Sequence, residues 1–201
     1  MKHIFYLLIC SALFFSCKKG SDQSATTPQP AAVNYQLDHV TFLVNEHTTT
    51  RSDSTILYQR QIVNNAVNSL EANIGVPTPD ETSKFTTNNT DTRLQGTFAT
   101  KISIPVALTN QALITGEKKW SYSVNQSEGK AANIDQYQVK LSVTGYTKIS
   151  LDVYAKWQTL QTDYLATFKD TGSGKTIEVS GTWEGRLLQG FSQVASATPI
   201  K

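Results

Sequence analysis

The sequence predicts an all-β protein, and three observations carry that prediction. Apolar side chains recur at every second position through several stretches. Thr, Ser, Asn and Gln are abundant, and Leu, Glu and Lys do not gather at helical spacing. Period two sustained over such lengths is the pattern of strands with one buried face.

The first segment is an exception. In residues 1–16, Lys2 and His3 give a short basic start and Ile4 to Leu13 an almost unbroken apolar run. That run is too short for a permanent membrane helix, which takes about 20 residues to cross ~30 Å of hydrocarbon. Leu13-Phe14-Phe15-Ser16-Cys17 resembles a lipobox, in which the cysteine takes a diacylglycerol and the chain is cut just before it. An ordinary export signal carries alternating small residues before its cleavage point, and these are missing. Residues 1–16 are therefore expected to be a lipoprotein signal peptide. The exported protein would be lipid-anchored at Cys17 to the bacterial cell envelope, at the outer membrane or cell surface.

The two cysteines are Cys10, inside the signal, and Cys17. The expected mature domain thus has no disulfide, thiol nucleophile or cysteine metal site. Residues 17–34, rich in Ser, Thr, Gln, Pro and Ala, cannot bury enough surface to order themselves and read as a lipidated flexible tether. As a random coil it would reach roughly 20–25 Å. Residues 35–201 suffice for one domain with a sizeable core. Lys2 is one of 18 basic side chains, and losing it leaves a near balance against 16 acidic ones. With no long basic run, nucleic acid is excluded as an expected partner.

Val40, Phe42 and Val44 share one face of a strand over 38–44. A short helix is expected near Ile62 to Ala72. Tyr137, Val139, Leu141 and Val143 mark another strand, as do Ile149, Leu151, Val153, Ala155 and Trp157.

The most informative stretch runs from Thr97 to Asn125. Phe98, Ile102, Ile104, Val106 and Leu108 lie on the even face of one strand. After a polar turn at Thr109-Asn110-Gln111, Ala112, Ile114, Trp120, Tyr122 and Val124 lie on the even face of the next. Thr97, Lys101, Ser103, Thr115, Glu117, Lys119, Ser121 and Ser123 populate the odd face. Thr100, Gly116 and Lys118 interrupt the apolar face, and Leu113 the polar one. The pattern admits two readings. A soluble hairpin packs its apolar face on a core and wets the other. A membrane hairpin from each of several chains closes into a barrel with lipid outside and water inside, because only closure removes unpaired backbone in a bilayer. Phe98 to Leu108 matches the ~9–11 residues of a crossing strand. Pro105 weighs towards the soluble form, since proline cannot donate to a ladder.

Several runs, in order, carry a family resemblance: Asn88-Asn89-Thr90-Asp91-Thr92, Gly96-Thr97-Phe98-Ala99-Thr100-Lys101-Ile102-Ser103-Ile104-Pro105-Val106, Ile114-Thr115-Gly116-Glu117 and Trp120-Ser121-Tyr122-Ser123-Val124. The likeness continues through Val143 to Val153, Tyr164 to Phe168 and Gly181 to Gly185. This order resembles the aerolysin-like β-pore-forming toxins of the epsilon-toxin and mosquitocidal-toxin type, across roughly residues 60–187. The resemblance implies an elongated all-β module with long antiparallel strands. It would oligomerise on a lipid membrane, as a homo-oligomer when active, and insert one hairpin per subunit. The even positions of Thr97–Asn125 would then face lipid and the odd ones the lumen, with Lys101, Glu117 and Lys119 setting ion preference. Val143-Thr144-Gly145 departs from the family's usual Val-Pro-Pro turn. The separate receptor-binding domain of larger toxins is not expected here, which leaves a surface module binding a glycan or protein receptor as the alternative.

Candidate chemistry is sparse. Asp170-Thr171-Gly172-Ser173-Gly174-Lys175-Thr176 looks like a phosphate loop, but the required first glycine position holds Lys169, so a β-turn is expected. His39 and His47, with Glu46 nearby, have no third metal ligand at useful spacing and are read as surface histidines. No Gly-x-Ser-x-Gly elbow accompanies the serines. No enzyme activity, cofactor or metal is expected. The tail from Ser192 is read as a frayed end.

Overall fold

The computed structural model describes residues 34–94, 97–110, 112–132 and 134–200. The expected signal, Cys17 and all of the tether but Asn34 lie outside the described residues. Val33–Lys201 forms one compact unit. Its strands are β1 (Tyr35–Leu43), β2 (Thr49–Asn64), β3 (Leu70–Pro77), β4 (Asp80–Thr86), β5 (Thr97–Thr109), β6 (Ala112–Ser123), β7 (Ser127–Ala131), β8 (Gln136–Val143), β9 (Thr147–Asp170) and β10 (Thr176–Pro199). Among the described residues the one helical element is a 3-10 turn at Thr92–Leu94.

The helix expected over 62–72 is replaced by the end of β2, a loop and the start of β3. Ile62 continues the alternation of β2 and packs on a core. Asn64, buried, then stops the strand. Its amide donates to the carbonyls of Asn68 (2.7 Å) and Val143 (2.9 Å), and its Oδ1 accepts from Ala66 N–H (3.0 Å). A short polar side chain that bonds nearby backbone favours a turn over a helix. The tail from Ser192, expected to fray, is paired: Ser192 faces Tyr154 and Pro199 faces Thr147.

A six-stranded antiparallel sheet is built around β9 and β10, with order β1-β9-β10-β4-β7. β1 pairs with β9 from Asp170 to Asp163, and β2 with the same edge from Gln161 to Thr147. β3 with β8, and β5 with β6, form separate two-stranded sheets.

β9 decides where these two smaller sheets pack. Its buried residues are odd-numbered from Ile149 to Trp157 and even-numbered from Leu160 to Phe168, apart from Thr167. At each register shift the extra residue belongs to β1, β2 or β10, never to β9. Alternate side chains of a strand point to opposite faces, so the two halves of β9 bury opposite faces. Leu151 and Val153 form one core with Ile74, Val76 and Val139 from β3 and β8. Leu160, Tyr164, Ala166 and Phe168 form the other, with Phe85, Trp183 and the β5–β6 hairpin.

Trp183 is the centre of the second core. Fully buried, it meets Phe42 edge-on at 5.3 Å and donates Nε1–H to Ser83 Oγ at 2.9 Å. Gly185 sits beside it because any Cβ there would collide with the indole. Trp183→Ala should cost about 3–5 kcal/mol, read as a lower denaturant midpoint with unchanged strand content.

Candidate membrane-insertion hairpin

β5 and β6 are joined by a turn at Asn110, whose φ of 47° suits asparagine, with Thr109 facing Ala112. The hairpin's ladder is irregular. Register shifts fall between Phe98 and Lys101 and on both sides of Pro105, where the missing N–H breaks the pattern. Gly116 lies on the apolar face because a Cβ there would stand 2.6 Å from Val106 Cγ1.

The expected lipid-facing residues are stowed on the sheet. Ile102, Ile104, Trp120, Tyr122 and Val124 are buried, Phe98, Val106 and Leu108 are half-buried, and Ala112 and Ile114 are exposed. Phe98 lies 5.0 Å from Phe168, and Tyr122 lies 4.9 Å from Phe85. Of the expected lumen-facing residues, Thr97, Lys101, Ser103, Thr115, Glu117 and Lys119 are exposed, whereas Ser121 and Ser123 are buried. Lys101 Nζ donates to Ser121 Oγ at 2.6 Å, and Thr97 Oγ1 lies 2.9 Å from Ser123 Oγ.

Isolated bonds hold the hairpin to the main sheet: Ser121 N–H donates to Glu128 Oε2 of β7 at 3.0 Å, and Lys130 Nζ donates to Lys119 O at 2.8 Å. The hairpin's backbone meets β4 where Asn125 N–H donates to Phe85 O at 2.7 Å, and Asn125 takes a φ of 57°. The hydroxyls of Tyr122 and Tyr164 meet at 3.0 Å inside the core. Burial first, then that hydroxyl, holds the Tyr122 phenol above its ordinary range, so it stays neutral. Lys118 forms an ion pair with Glu81 of β4. The Glu81 side chain is 4% exposed and also accepts Leu188 N–H at 2.8 Å. This pair lines a cleft of about 620 Å³ together with Val106, Lys130 and Gln189. Lys130 Nζ stands 4.4 Å from the Trp120 ring centroid, capping it.

The sequence pattern marked Lys118 as an interruption of the apolar face, which was a usable signal. Its partner was not readable, because Glu81 lies in a different strand. A second cleft, of about 470 Å³, separates Ile102 and Ser103 from His39 and Phe42 of β1.

A third cleft of about 640 Å³ lies at the break between β1 and β2, lined by His47, Asn89, Asp163 and Glu178. His47 is in the turn between β1 and β2. Its Nδ1 lies 3.0 Å from Asp163 Oδ2, which also accepts from Asn45 Nδ2 at 2.7 Å. His39 pairs with Asp38 at 2.7 Å, on β1. Among the described residues no three His, Cys, Asp or Glu side chains converge as a metal site. The glycine-rich segment is the β9–β10 turn. Asp170 accepts from Gly172 N–H and Ser173 N–H at 3.1 and 3.2 Å, so the loop closes on its own carboxylate.

No family model matches the sequence, and no curated protein matches it. Solved structures do. Lamprey immune protein aligns with a TM-score of 0.55 at 11% identity, over 82% of this chain and 53% of its own. The aerolysin-like protein of Bombina maxima aligns with a TM-score of 0.47 at 10% identity, over 80% of this chain and 97% of its own. The parasporin-2 toxin of Bacillus thuringiensis aligns with a TM-score of 0.41 at 17% identity, over 83% and 75%. The fold is all-β and is similar to that of the lamprey immune protein. At these identities the likeness is one of fold, and the chain spans about half the length of the lamprey protein. Within this all-β fold the β5–β6 hairpin is a distinct two-stranded sheet.

Two outcomes test the site's electrostatics. Lys118→Ala leaves the Glu81 carboxylate buried with one backbone donor. It should cost about 3 kcal/mol, most of it recovered by adding Glu81→Gln, in equilibrium unfolding. His47 is held above its ordinary 6.5 by its hydrogen bond to Asp163 and that residue's charge. Asp163 is held below its ordinary 3.8, chiefly by His47 and then Asn45. The histidine's contribution is full below 6.5 and lost as pH rises past its raised value; the aspartate's is full above 3.8 and lost as pH falls. His47→Ala should therefore lower the melting temperature more at about pH 5.5 than at about pH 9.

Proposed function

We propose that this chain is a lipid-anchored pore-forming protein that oligomerises on a membrane and inserts its β5–β6 hairpin. One observation carries the reading. An apolar-faced hairpin is packed on the core yet is not laddered into the main sheet. It can leave without breaking the six-stranded ladder. Removing it uncovers Ile102, Ile104, Trp120, Tyr122 and Val124, at about 2 kcal/mol per side chain, or about 10 kcal/mol. Lipid burial of the same faces in a closed barrel offsets that cost, and closure pairs the strand edges.

The membrane register follows the alternation: Phe98, Ile102, Ile104, Val106, Leu108, Ala112, Ile114, Trp120, Tyr122 and Val124 to lipid, and the odd positions to the lumen. Ser121 and Ser123 would pass from buried contacts to the water-filled interior. The stowed ladder's shifts around Pro105 would have to be redrawn on insertion, so this is a refolding step. Cys17 would hold the protein on the producing cell, with residues 17–34 as the tether.

A second reading is a non-lytic surface module that binds a glycan or protein. The complete burial of Ile104 and Tyr122 in the single chain favours it.

Dye release from liposomes separates the two. Ile114 is 49% exposed in the soluble form, so Ile114→Asp should fold normally. A charge on the lipid face costs about 2–4 kcal/mol at mid-bilayer for Lys or Arg, less for Asp and less towards the interface, and the cost recurs in every subunit. Ile114→Asp should therefore suppress release, while Thr115→Asp, on the lumen face, should not. Equal release by both variants would remove the hairpin assignment. A parent protein that stays monomeric and releases nothing would favour the non-lytic module.

A further inference from the structure

The end of the sheet farthest from Asn34 carries an apolar tip that the hairpin does not use. Val67, in the β2–β3 loop, is 73% exposed, and Tyr146, in the β8–β9 turn, is 53% exposed. Val63 and Leu70, at 46% and 42%, flank the same loop. The two turns are locked together. Tyr146 N–H donates to Ala66 O at 3.1 Å, and Gly145 leaves no room for a Cβ against the Val67 carbonyl. Tyr146 takes a φ of 51°, sparsely populated for a non-glycine residue, and Ile200 N–H donates to its carbonyl at 2.8 Å. Beneath them the buried Asn64 amide staples the loop to β8. A frame this fixed that nonetheless holds a valine and a tyrosine out in water is preorganised for contact.

We infer that this tip is a docking surface for a lipid bilayer. Three observations select that occupant. The two turns themselves hold no carboxylate; Glu71 follows Leu70, while Lys140 and Lys148 flank the tip, a balance towards cations that suits an anionic lipid surface. Val67 and Tyr146 stand on turns and line none of the three clefts described above, whereas a small ligand needs a concave site. A tyrosine beside aliphatic residues is the side-chain set that settles at the headgroup boundary.

Direction agrees. Thr171 N–H donates to Asn34 O at 3.0 Å, so the described chain enters at the Asp170 end of β9. The tip lies at the Thr147 end, 24 residues along that strand, or roughly 80 Å away. The hairpin runs the same way: Phe98 touches Phe168, while Val106 and Gly116 share a cleft with Gln189, the bulge residue between Leu188 and Gly190, which face Trp157 and Lys156. The shared direction rests on the pore-forming reading; the exposed tip does not.

The test uses Val33–Lys201, the compact unit with both cores, so that neither lipid nor tether contributes. Cosedimentation with phosphatidylcholine–phosphatidylglycerol vesicles should fall at least about tenfold in Val67→Asp/Tyr146→Ser. Val194→Asp, at an exposed apolar residue on the sheet, should leave it unchanged. Ile114→Asp should bind like the parent while losing dye release, so a failed docking surface and a failed hairpin read differently. Parent-level sedimentation by Val67→Asp/Tyr146→Ser, or a parent unit that does not bind vesicles, would overturn the inference.

Discussion

The structure depends on one uninterrupted strand that buries opposite faces at its two ends. β9 contributes no extra residue at any bulge, yet its buried positions change from odd to even between Trp157 and Leu160. Hydrophobic burial is thereby directed to one side of the sheet near Leu151 and to the other near Tyr164. Each half needs its own cover. β3 and β8 cover one, and the β5–β6 hairpin covers the other. The hairpin is therefore held mainly by side-chain packing, and packing is the interaction that a bilayer can replace.

On the pore-forming proposal the hairpin's apolar face would serve two solvents. In the single chain it completes the aromatic core around Phe85, Tyr164 and Trp183. On the proposed membrane it meets lipid with the same residues. The polar contacts that hold it include the tyrosine hydroxyl pair, the Asn125 backbone bond, the Glu81–Lys118 ion pair and the bonds of Ser121 N–H to Glu128 and of Lys130 to the Lys119 carbonyl. A buried pair of charges stabilises little against a hydrophobic substitute but is costly to break singly. Glu81 and Lys118 thus fix where the hairpin rests more than how strongly it is held. The exposed tip at Val67 and Tyr146 adds a separate contact at the far end of the sheet.

Much of the fold was legible from alternation alone, because strand burial follows it directly. The faces read for Tyr137–Val143 and Ile149–Trp157 are the buried faces observed. The hairpin and its turn also stand where the pattern put them. What the sequence hid was long-range. The switch beyond Trp157 was hidden because pairing on both edges of β9 sets it. Glu81 was hidden because its reason for burial is a lysine on another strand. The tail after Ser192 was hidden because a short polar stretch looks unstructured until a neighbouring strand supplies hydrogen bonds, and the helix near Ile62 was misplaced because the Asn64 amide that ends β2 bonds to Val143, far along the chain. The lipid anchor at Cys17 rests on the sequence alone.

The most direct measurement places an environment-sensitive fluorophore singly at Ala112, Ile114, Thr115 and Glu117, all exposed in the soluble form. Oligomer size is followed in parallel. On mixing with vesicles, the labels at Ala112 and Ile114 should move into lipid while those at Thr115 and Glu117 stay in water, with oligomers appearing together with the change. Labels that all keep their aqueous signal on a vesicle-bound monomer would contradict the account.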